Sequence, residues 1–113
     1  MLSRLFGPKV PQMSPDQIQA KLVEKPEPIL IDVRQPEEYR TGHISGAKLV
    51  PLGYLSKRIK ELPRNREIIC VCQSGSRSQA AAQQLIAEGY SAVNLKGGMD
   101  GWQRAGLPIK KGS

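Results

Sequence analysis

The sequence predicts an α/β fold with three layers, in which a mainly parallel central sheet has helices on both faces. Two apolar runs, residues 29–33 and 68–72, carry hydrophobic side chains on both faces of an extended chain, which is typical of strands buried in a parallel sheet. Segments with the helical spacing of apolar residues alternate with such runs along most of the chain. This alternation predicts one α/β domain, and a length of 113 residues suits a single hydrophobic core.

The first helix has a clear start and a clear end. Ser14 is placed to cap a helix whose first position is Pro15, and Gln17 three residues later completes a capping box. The helix ends before Pro26, because proline disfavours the helical conformation in the residue that precedes it. The buried strand at residues 29–33 follows.

Short elements follow in the middle of the chain. A helical turn begins at Pro36, residues 42–47 form a loop, and residues 48–50 form a short strand that Pro51 ends. Residues 54–62 then place apolar side chains on one helix face and basic side chains on the other. We therefore expect a helix there.

The second half of the chain holds the central strand. We expect this strand at residues 67–72, a helix rich in alanine over residues 79–86 and a further strand at residues 91–95. A last short helix carries Trp102, which we interpret as a packing anchor.

Three regions are expected along the chain. They are an irregular N-terminal arm at residues 1–13, a domain at residues 14–109 and a basic tail at residues 110–113.

Cys72 lies where the central strand gives way to a loop of small polar residues. The first N–H groups of a helix have no partner within the helix, and the helix dipole places partial positive charge there. A sulfur atom in front of that helix is expected to ionise easily. Gly75 lets the loop bend, and Arg77 adds a full positive charge. The stretch therefore predicts an anion pocket built around one nucleophilic sulfur.

This loop and two other segments resemble one enzyme family. The spacing Cys-x-x-Gly-x-Arg from Cys72 to Arg77, followed by a helix, resembles the active-site loop of the rhodaneses, the thiosulfate sulfurtransferases. Ile-Leu-Ile-Asp-Val-Arg, Pro-Glu-Glu-Tyr and Gly-His-Ile-Ser-Gly-Ala, between residues 29 and 47, resemble that family's N-terminal signature. Leu-Lys-Gly-Gly-Met-Asp-Gly-Trp and Ala-Gly-Leu-Pro, between residues 95 and 108, resemble its C-terminal signature.

The resemblance implies a rhodanese-like fold and a sulfurtransferase. A sulfane sulfur would pass from thiosulfate or another persulfide donor to a thiophilic acceptor, such as a thiol or cyanide, through a persulfide on Cys72. The donor or the acceptor could also be a protein persulfide. The remaining loop residues would bind the substrate: Gln73, Ser74, Gly75, Ser76, Arg77 and Ser78.

Four other residues invite a chemical role. Asp32 interrupts an apolar run and must find partners, so we interpret it, with Arg34, as a support for the active-site surroundings. His43 is the only histidine, and the resemblance implies that it is structural rather than a general base. Cys70 is interpreted as core packing; a role as resolving thiol is the alternative.

The basic excess lies in the same part of the chain as Cys72. Residues 40–113 hold twelve Lys and Arg against four Asp and Glu, a net charge of +8, whereas residues 1–39 hold five against six. A positive field would attract small anionic donors. The cluster Lys57, Arg58, Lys60, Arg64 and Arg66 is interpreted as a solvated face, since no aromatic residues interleave it for stacking on nucleic acid bases.

Composition bears on metal binding, on the redox state of the cysteines and on membrane insertion. Two cysteines and one histidine do not make a four-ligand zinc site, so we expect no metal and no cofactor. A disulfide between cysteines two residues apart in a strand would be strained, which favours reduced thiols and a cytoplasmic protein. No stretch is apolar over the roughly 20 residues that a membrane span needs. The oligomeric state is left open.

Two other function classes compete with a sulfurtransferase. A non-enzymatic persulfide carrier or a rhodanese-like docking module would keep the fold without catalytic turnover. A dual-specificity phosphatase is disfavoured, because cysteine phosphatases place Arg after five intervening residues, where this chain has Ser78, and Arg77 comes one residue early.

Overall fold

The computed structural model describes residues 7–113 and has a five-stranded, wholly parallel sheet. The strands lie in the order β1-β5-β4-β2-β3. They are β1 (Gln12–Met13), β2 (Ile29–Asp32), β3 (Lys48–Leu49), β4 (Ile68–Val71) and β5 (Ala92–Leu95). Because β4 occupies the middle of the sheet, the predicted central strand is confirmed.

The described residues contain five α-helices, of which four connect successive strands and the last follows β5. They are α1 (Pro15–Lys21), α2 (Pro36–Thr41), α3 (Leu55–Arg58), α4 (Ser76–Ala87) and α5 (Gly98–Arg104), and 3₁₀ turns at Leu52–Tyr54 and Ile59–Glu61 flank α3. The capping box of α1 is present as predicted, with Gln17 N–H donating to Ser14 Oγ and Ser14 N–H donating to Gln17 Oε1. Between residues 7 and 113, no helix is long and apolar enough to cross a membrane.

The two faces of the sheet are covered by separate hydrophobic clusters. Successive side chains of a strand point to opposite faces, so Ile68 and Cys70 of β4 enter one cluster while Ile69 and Val71 enter the other. The first cluster also contains Leu55, Ala81 and Leu85, and the second contains Ile18, Met99 and Trp102. This arrangement confirms the three-layer α/β fold, and Trp102 packs in the core as expected.

Three segments differ from the sequence expectation. Gln12 and Met13, expected in the irregular arm, pair with Asn94 and Leu95 of β5, whereas residues 1–6 of that arm lie outside the described residues. The helix expected at residues 54–62 is a short α-helix between two 3₁₀ turns. Lys110, expected in a loose tail, exchanges two backbone hydrogen bonds with His43.

Sheet register determines which loops meet at the carboxyl edge. Asp32 at the end of β2 is directly opposite Val71 at the end of β4, and Val33 N–H donates to the carbonyl oxygen of Val71 at 2.9 Å. The segments that follow these two strands therefore begin side by side, and one of them carries Cys72. Loops at the carboxyl ends of parallel strands are where α/β sheets bind ligands.

Candidate active site

Cys72 follows β4 directly, and its sulfur lies against the start of α4. Cys72 is fully buried. The Sγ atom accepts a hydrogen bond from the backbone N–H of Gly75 at 3.0 Å and a second from the hydroxyl of Ser78 at 3.2 Å. Both donors come from the loop and the first turn of α4, so the predicted meeting of a sulfur with a helix start is present in the geometry.

Gly75 allows the backbone to turn toward the sulfur. Its φ of +106° lies in the left-handed region, which residues with a Cβ seldom adopt. A Cβ at this position would also lie 3.3 Å from the backbone nitrogen of Gly97, which belongs to the turn before α5. The tight packing of these two glycine turns keeps the Gly75 N–H aimed at Cys72.

The start of α5 holds the same loop from the other side. Met99 N–H donates to the carbonyl oxygen of Cys72 at 2.8 Å, and Asp100 N–H donates to that of Gln73 at 3.0 Å. The first N–H groups of a helix have no partner inside the helix. These two hydrogen bonds therefore give the N–H groups of Met99 and Asp100 their acceptors and hold the Cys72 loop against the start of α5.

Ser78 connects the sulfur to β5 through Asn94. The Ser78 hydroxyl lies 2.5 Å from Asn94 Oδ1 and 3.2 Å from Cys72 Sγ. Because it has a single proton, it donates to one of these atoms at a time, and an anionic sulfur is the stronger acceptor. Asn94 Nδ2 in turn donates to the carbonyl oxygen of Gly75 and to Gln12 Oε1, both at 3.0 Å. Sequence reasoning did not single out Asn94, although a polar residue in an apolar strand was the available signal.

Arg77 does not present a free positive charge to the pocket. Its guanidinium forms a two-point ion pair with Glu38 of α2, with both N···O distances at 2.8 Å. The hydrogen bond from Arg77 holds the pKa of Glu38 at about 2, below its ordinary value of 4.5, and the same bond raises the pKa of Arg77. Glu38 was not identified from the sequence, because the pair joins residues 39 positions apart.

Asp32 and Arg34 form a buried ion pair beside the loop. Arg34 Nη2 lies 2.9 Å from Asp32 Oδ2, and its Nε lies 3.0 Å from Oδ1. The guanidinium also donates to Gln73 Oε1 at 2.9 Å and to the carbonyl oxygen of Gly42 at 2.8 Å. This geometry connects the end of β2 to the first residue after Cys72.

The other predicted loop residues are placed differently. The side chain of Gln73 is held by Asp100 and Arg34: its Nε2 donates to Asp100 Oδ1 at 2.6 Å, and its Oε1 accepts from Arg34. Ser74 and Ser76 are exposed, with their hydroxyl oxygens 3.5 Å apart. Of the predicted substrate-binding residues, Gly75 and Ser78 are thus the two whose groups contact Sγ in the described structure.

Comparison with known proteins decides the family. The model of the rhodanese-like domain matches residues 14–105. The chain belongs to the rhodanese-like domain family. The resemblance first seen in the loop and the two flanking signatures is therefore confirmed.

Three relatives place this rhodanese domain among proteins named for sulfur chemistry. A "Sulfurtransferase" of Allochromatium vinosum is 35% identical over 88% of this chain and 94% of its own length. The "Putative sulfur carrier protein YrkF" of Bacillus subtilis is 37% identical over 82% of this chain, which spans 51% of that protein. The crystal structure of a thiosulfate sulfurtransferase from Pseudomonas aeruginosa superimposes with a TM-score of 0.84 at 30% identity, covering 92% of this chain and 21% of that one. These similarities support sulfur transfer in general.

Other candidate groups of the rhodanese domain are engaged elsewhere. His43 is buried and stacks on the Tyr39 ring with centroids 3.7 Å apart, and its Nδ1 lies 2.8 Å from the Tyr39 carbonyl oxygen. Cys70 is fully buried, and burial raises the pKa of its thiol. Between residues 7 and 113, no group of three His, Cys, Asp or Glu side chains is placed to hold a metal ion.

The basic cluster predicted at Lys57 to Arg66 is partly paired. Arg58 contacts Glu61, Arg64 donates to the carbonyl oxygen of Glu88, and Arg66 donates to that of Glu27. The Arg64 guanidinium also lies over the ring of Tyr90, 4.4 Å from its centroid. These contacts fit the interpretation of a surface face with structural links.

Proposed function

We propose that this protein is a sulfurtransferase that carries a sulfane sulfur on Cys72. The observation that supports it best is the pair of hydrogen bonds from Gly75 N–H and the Ser78 hydroxyl to Cys72 Sγ. Preorganised donors of this kind stabilise negative charge on sulfur without reorganisation during reaction. The sulfur donor is thiosulfate or another persulfide, including one on a protein, and the acceptor is cyanide or a thiol of a small molecule or a protein.

The reaction has two balanced halves. In the first, the Cys72 thiolate attacks the outer sulfur of the donor, and the donor's S–S bond breaks. Thiosulfate leaves as sulfite with the bonding electron pair, and the enzyme keeps Cys72–S–S⁻. In the second half, the acceptor attacks the terminal sulfur, the new S–S bond breaks, and the Cys72 thiolate is regenerated. This is covalent catalysis by a nucleophile that alternates between two forms.

Surrounding residues contribute by holding the loop. The Asp32–Arg34 ion pair reaches Gln73 from β2, and the start of α5 reaches the carbonyl groups of Cys72 and Gln73. We assign Asp32 and Arg34 a positioning role, since neither side chain donates to the sulfur in the structure. A misplaced donor loses much of its effect, because hydrogen bonds weaken steeply with distance and angle.

A carrier is the second candidate function. The relation to a protein named as a sulfur carrier favours it, and the pairing of Arg77 with Glu38 reduces the attraction for a small anionic donor. A carrier would accept sulfur on Cys72 from one protein and deliver it to another, with slow turnover on free thiosulfate. The same Cys72 persulfide is the central species in both functions.

Intact mass spectrometry tests the proposal. The protein is incubated briefly with thiosulfate, separated from excess reagent and weighed beside Cys72→Ser and Cys70→Ala variants. The expected result is a gain of one sulfur atom in the wild type and in Cys70→Ala, none in Cys72→Ser, and loss of the added sulfur after cyanide. A folded, reduced wild type that gains nothing from thiosulfate or from a small persulfide would contradict sulfur transfer through Cys72. Turnover with free donor and acceptor then separates an enzyme from a carrier.

A further inference from the structure

The hydrogen-bonded surroundings of the Cys72 loop are not positive. Within the described residues, the network that joins this loop contains two arginines and three carboxylates, which gives one net negative charge. The five charged residues are Arg34, Arg77, Asp32, Glu38 and Asp100. The basic excess counted along the sequence is therefore not reproduced in the hydrogen-bond network that joins the loop.

Glu38 is the carboxylate that neutralises the loop's own cation. Both of its oxygens are engaged by Arg77, and Oε1 also accepts the backbone N–H of Gln35 at 3.0 Å. Its pKa of about 2 keeps it ionised at neutral pH. The position is fixed by the start of α2, where Glu38 is the third helical residue and part of a capping box.

An approaching donor meets Arg77 and Glu38 as a unit. To bind the guanidinium directly, an anion would have to displace a two-point ion pair. Without that displacement, the donor approaches a pair of zero net charge next to a sulfur anion. Repulsion between charges grows with their product, so a dianion is disfavoured more strongly than a monoanion.

We propose that Glu38 is a specificity-determining residue that selects against dianionic sulfur donors and in favour of monoanionic ones, such as the persulfide of a thiol. This inference rests on the proposed sulfur transfer through Cys72. For a monoanionic persulfide R–S–S⁻, the Cys72 thiolate attacks the terminal sulfur, the S–S bond of the donor breaks, and R–S⁻ leaves with the electron pair. Total charge is −2 before and after the step, and no further reactant is needed.

Two donors with the same reacting bond but different charge test the proposal. Thiosulfate is a dianion, and methanethiosulfonate, CH₃SO₂S⁻, is a monoanion with a sulfane sulfur on a similar sulfonyl group. Rates of Cys72 persulfide formation are measured for both donors with wild type, Glu38→Gln and Glu37→Gln. Glutamine suits the capping-box position as glutamate does, so the helix start is preserved.

Glu37→Gln is a matched control. It makes the same change in net charge one residue away on the same helix, at an exposed position for which no contact with Arg77 is recorded. With Glu38→Gln, we expect the second-order rate constant of persulfide formation to rise on the order of threefold for the monoanion and tenfold for the dianion, since the interaction energy scales with donor charge. Glu37→Gln is expected to change both values by less than about twofold, because exposed charges are screened.

Other outcomes overturn the inference. If Glu38 only positions Arg77 for substrate, Glu38→Gln lowers the rate with thiosulfate. Equal changes for the two donors, or equal effects of the two variants, would also contradict charge selection by Glu38. These failures leave the proposed function intact, provided that wild type forms the Cys72 persulfide. If wild type gains no sulfur from either donor or from a small persulfide, the proposed function itself fails. Circular dichroism and a urea unfolding curve confirm that each variant is folded.

Discussion

Gly98 faces the peptide bond between Cys72 and Gln73 so closely that a Cβ on Gly98 would lie 2.5 Å from the carbonyl oxygen of Cys72. The same hypothetical atom would lie 2.6 Å from both the carbonyl carbon and the carbonyl oxygen of Gln73. Backbone atoms cannot yield as a flexible side chain can. The loop that carries the reactive sulfur therefore depends on a glycine at the start of another helix.

We expect Gly98→Ala to displace the Cys72 loop and to lower sulfur transfer by an order of magnitude or more. Its φ of +58° costs an alanine about 1–2 kcal/mol. The steric overlap adds about 1–3 kcal/mol to the loss of unfolding free energy. Urea unfolding and the rate of persulfide formation measure the two effects.

Gly46→Ala is the control for backbone strain. Gly46 also has a positive φ, +88°, but a Cβ there would meet no atom within 4 Å. It should lose about 1 kcal/mol of stability through strain and retain sulfur transfer. Equal losses in the two variants would show that the close approach to Cys72 does not matter.

Ser78→Ala should slow persulfide formation while the fold persists. The variant removes one of the two recorded donors to Cys72 Sγ, and a hydrogen bond to a charged group contributes about 1.5–3 kcal/mol, so we expect a decrease of about tenfold or more. Ser76→Ala is the matched control, because Ser76 is an exposed serine of the same helix start. Comparable rates for the two variants would refute a role of the Ser78 hydroxyl in holding the sulfur.

Asp32→Asn should destabilise the protein strongly. The substitution leaves the guanidinium of Arg34 buried without its countercharge, and breaking a buried pair in this way costs about 3–5 kcal/mol. The urea unfolding curve gives the loss directly. Asp16→Asn, at an exposed position in the first turn of α1, should change stability by less than about 1 kcal/mol. A small loss in Asp32→Asn would mean that the pair is not needed to hold the loop.

Because of the Glu38–Arg77 pair, we expect the free energy of unfolding to depend on pH in the acidic range. Because the pKa of Glu38 is lowered from 4.5 to about 2 in the folded state, the folded protein binds this proton less readily than the unfolded chain. The pair therefore stabilises the fold above pH 4.5, and this contribution is lost as the pH falls from 4.5 toward 2. Partial exposure of both side chains reduces its size.

Urea midpoints measured for wild type and Glu38→Gln at about pH 5 and about pH 3 test this dependence. Wild type should lose more stability between the two pH values than the variant, which has no carboxyl group to protonate at this position. Parallel losses in the two proteins would show that Glu38 does not carry the effect.

Local signals were sufficient for much of the fold. The capping box at Ser14 and Gln17 needs only residues three apart, and the apolar runs that became β2 and β4 are local as well. The strand at Gln12 was missed because two residues are too few to show an alternating pattern. The helix expected at residues 54–62 has a suitable apolar face, but its backbone forms 3₁₀ turns on both sides of Leu55–Arg58.

Long-range contacts explain what could not be predicted in the site. Cys72, Gly75 and Ser78 lie within seven consecutive residues, so their meeting follows from one loop and one helix start. The pairing of Glu38 with Arg77 and of Asn94 with Ser78 depends on how separate elements pack. No spacing rule connects such residues, and the positive pocket inferred from Arg77 alone was incomplete for that reason.

The burial of Cys70 bears on how long a loaded sulfur would stay in place. The chain has two cysteines, and the second lies in the core with a thiol whose pKa is raised by burial and by the nearby Cys72. A protonated thiol is a poor nucleophile. A sulfane sulfur on Cys72 would therefore have no internal exit through a disulfide, and its lifetime would be set by encounters with an outside acceptor. Under the proposed function, the domain would store sulfur, and the supply of acceptor would set the rate of its release.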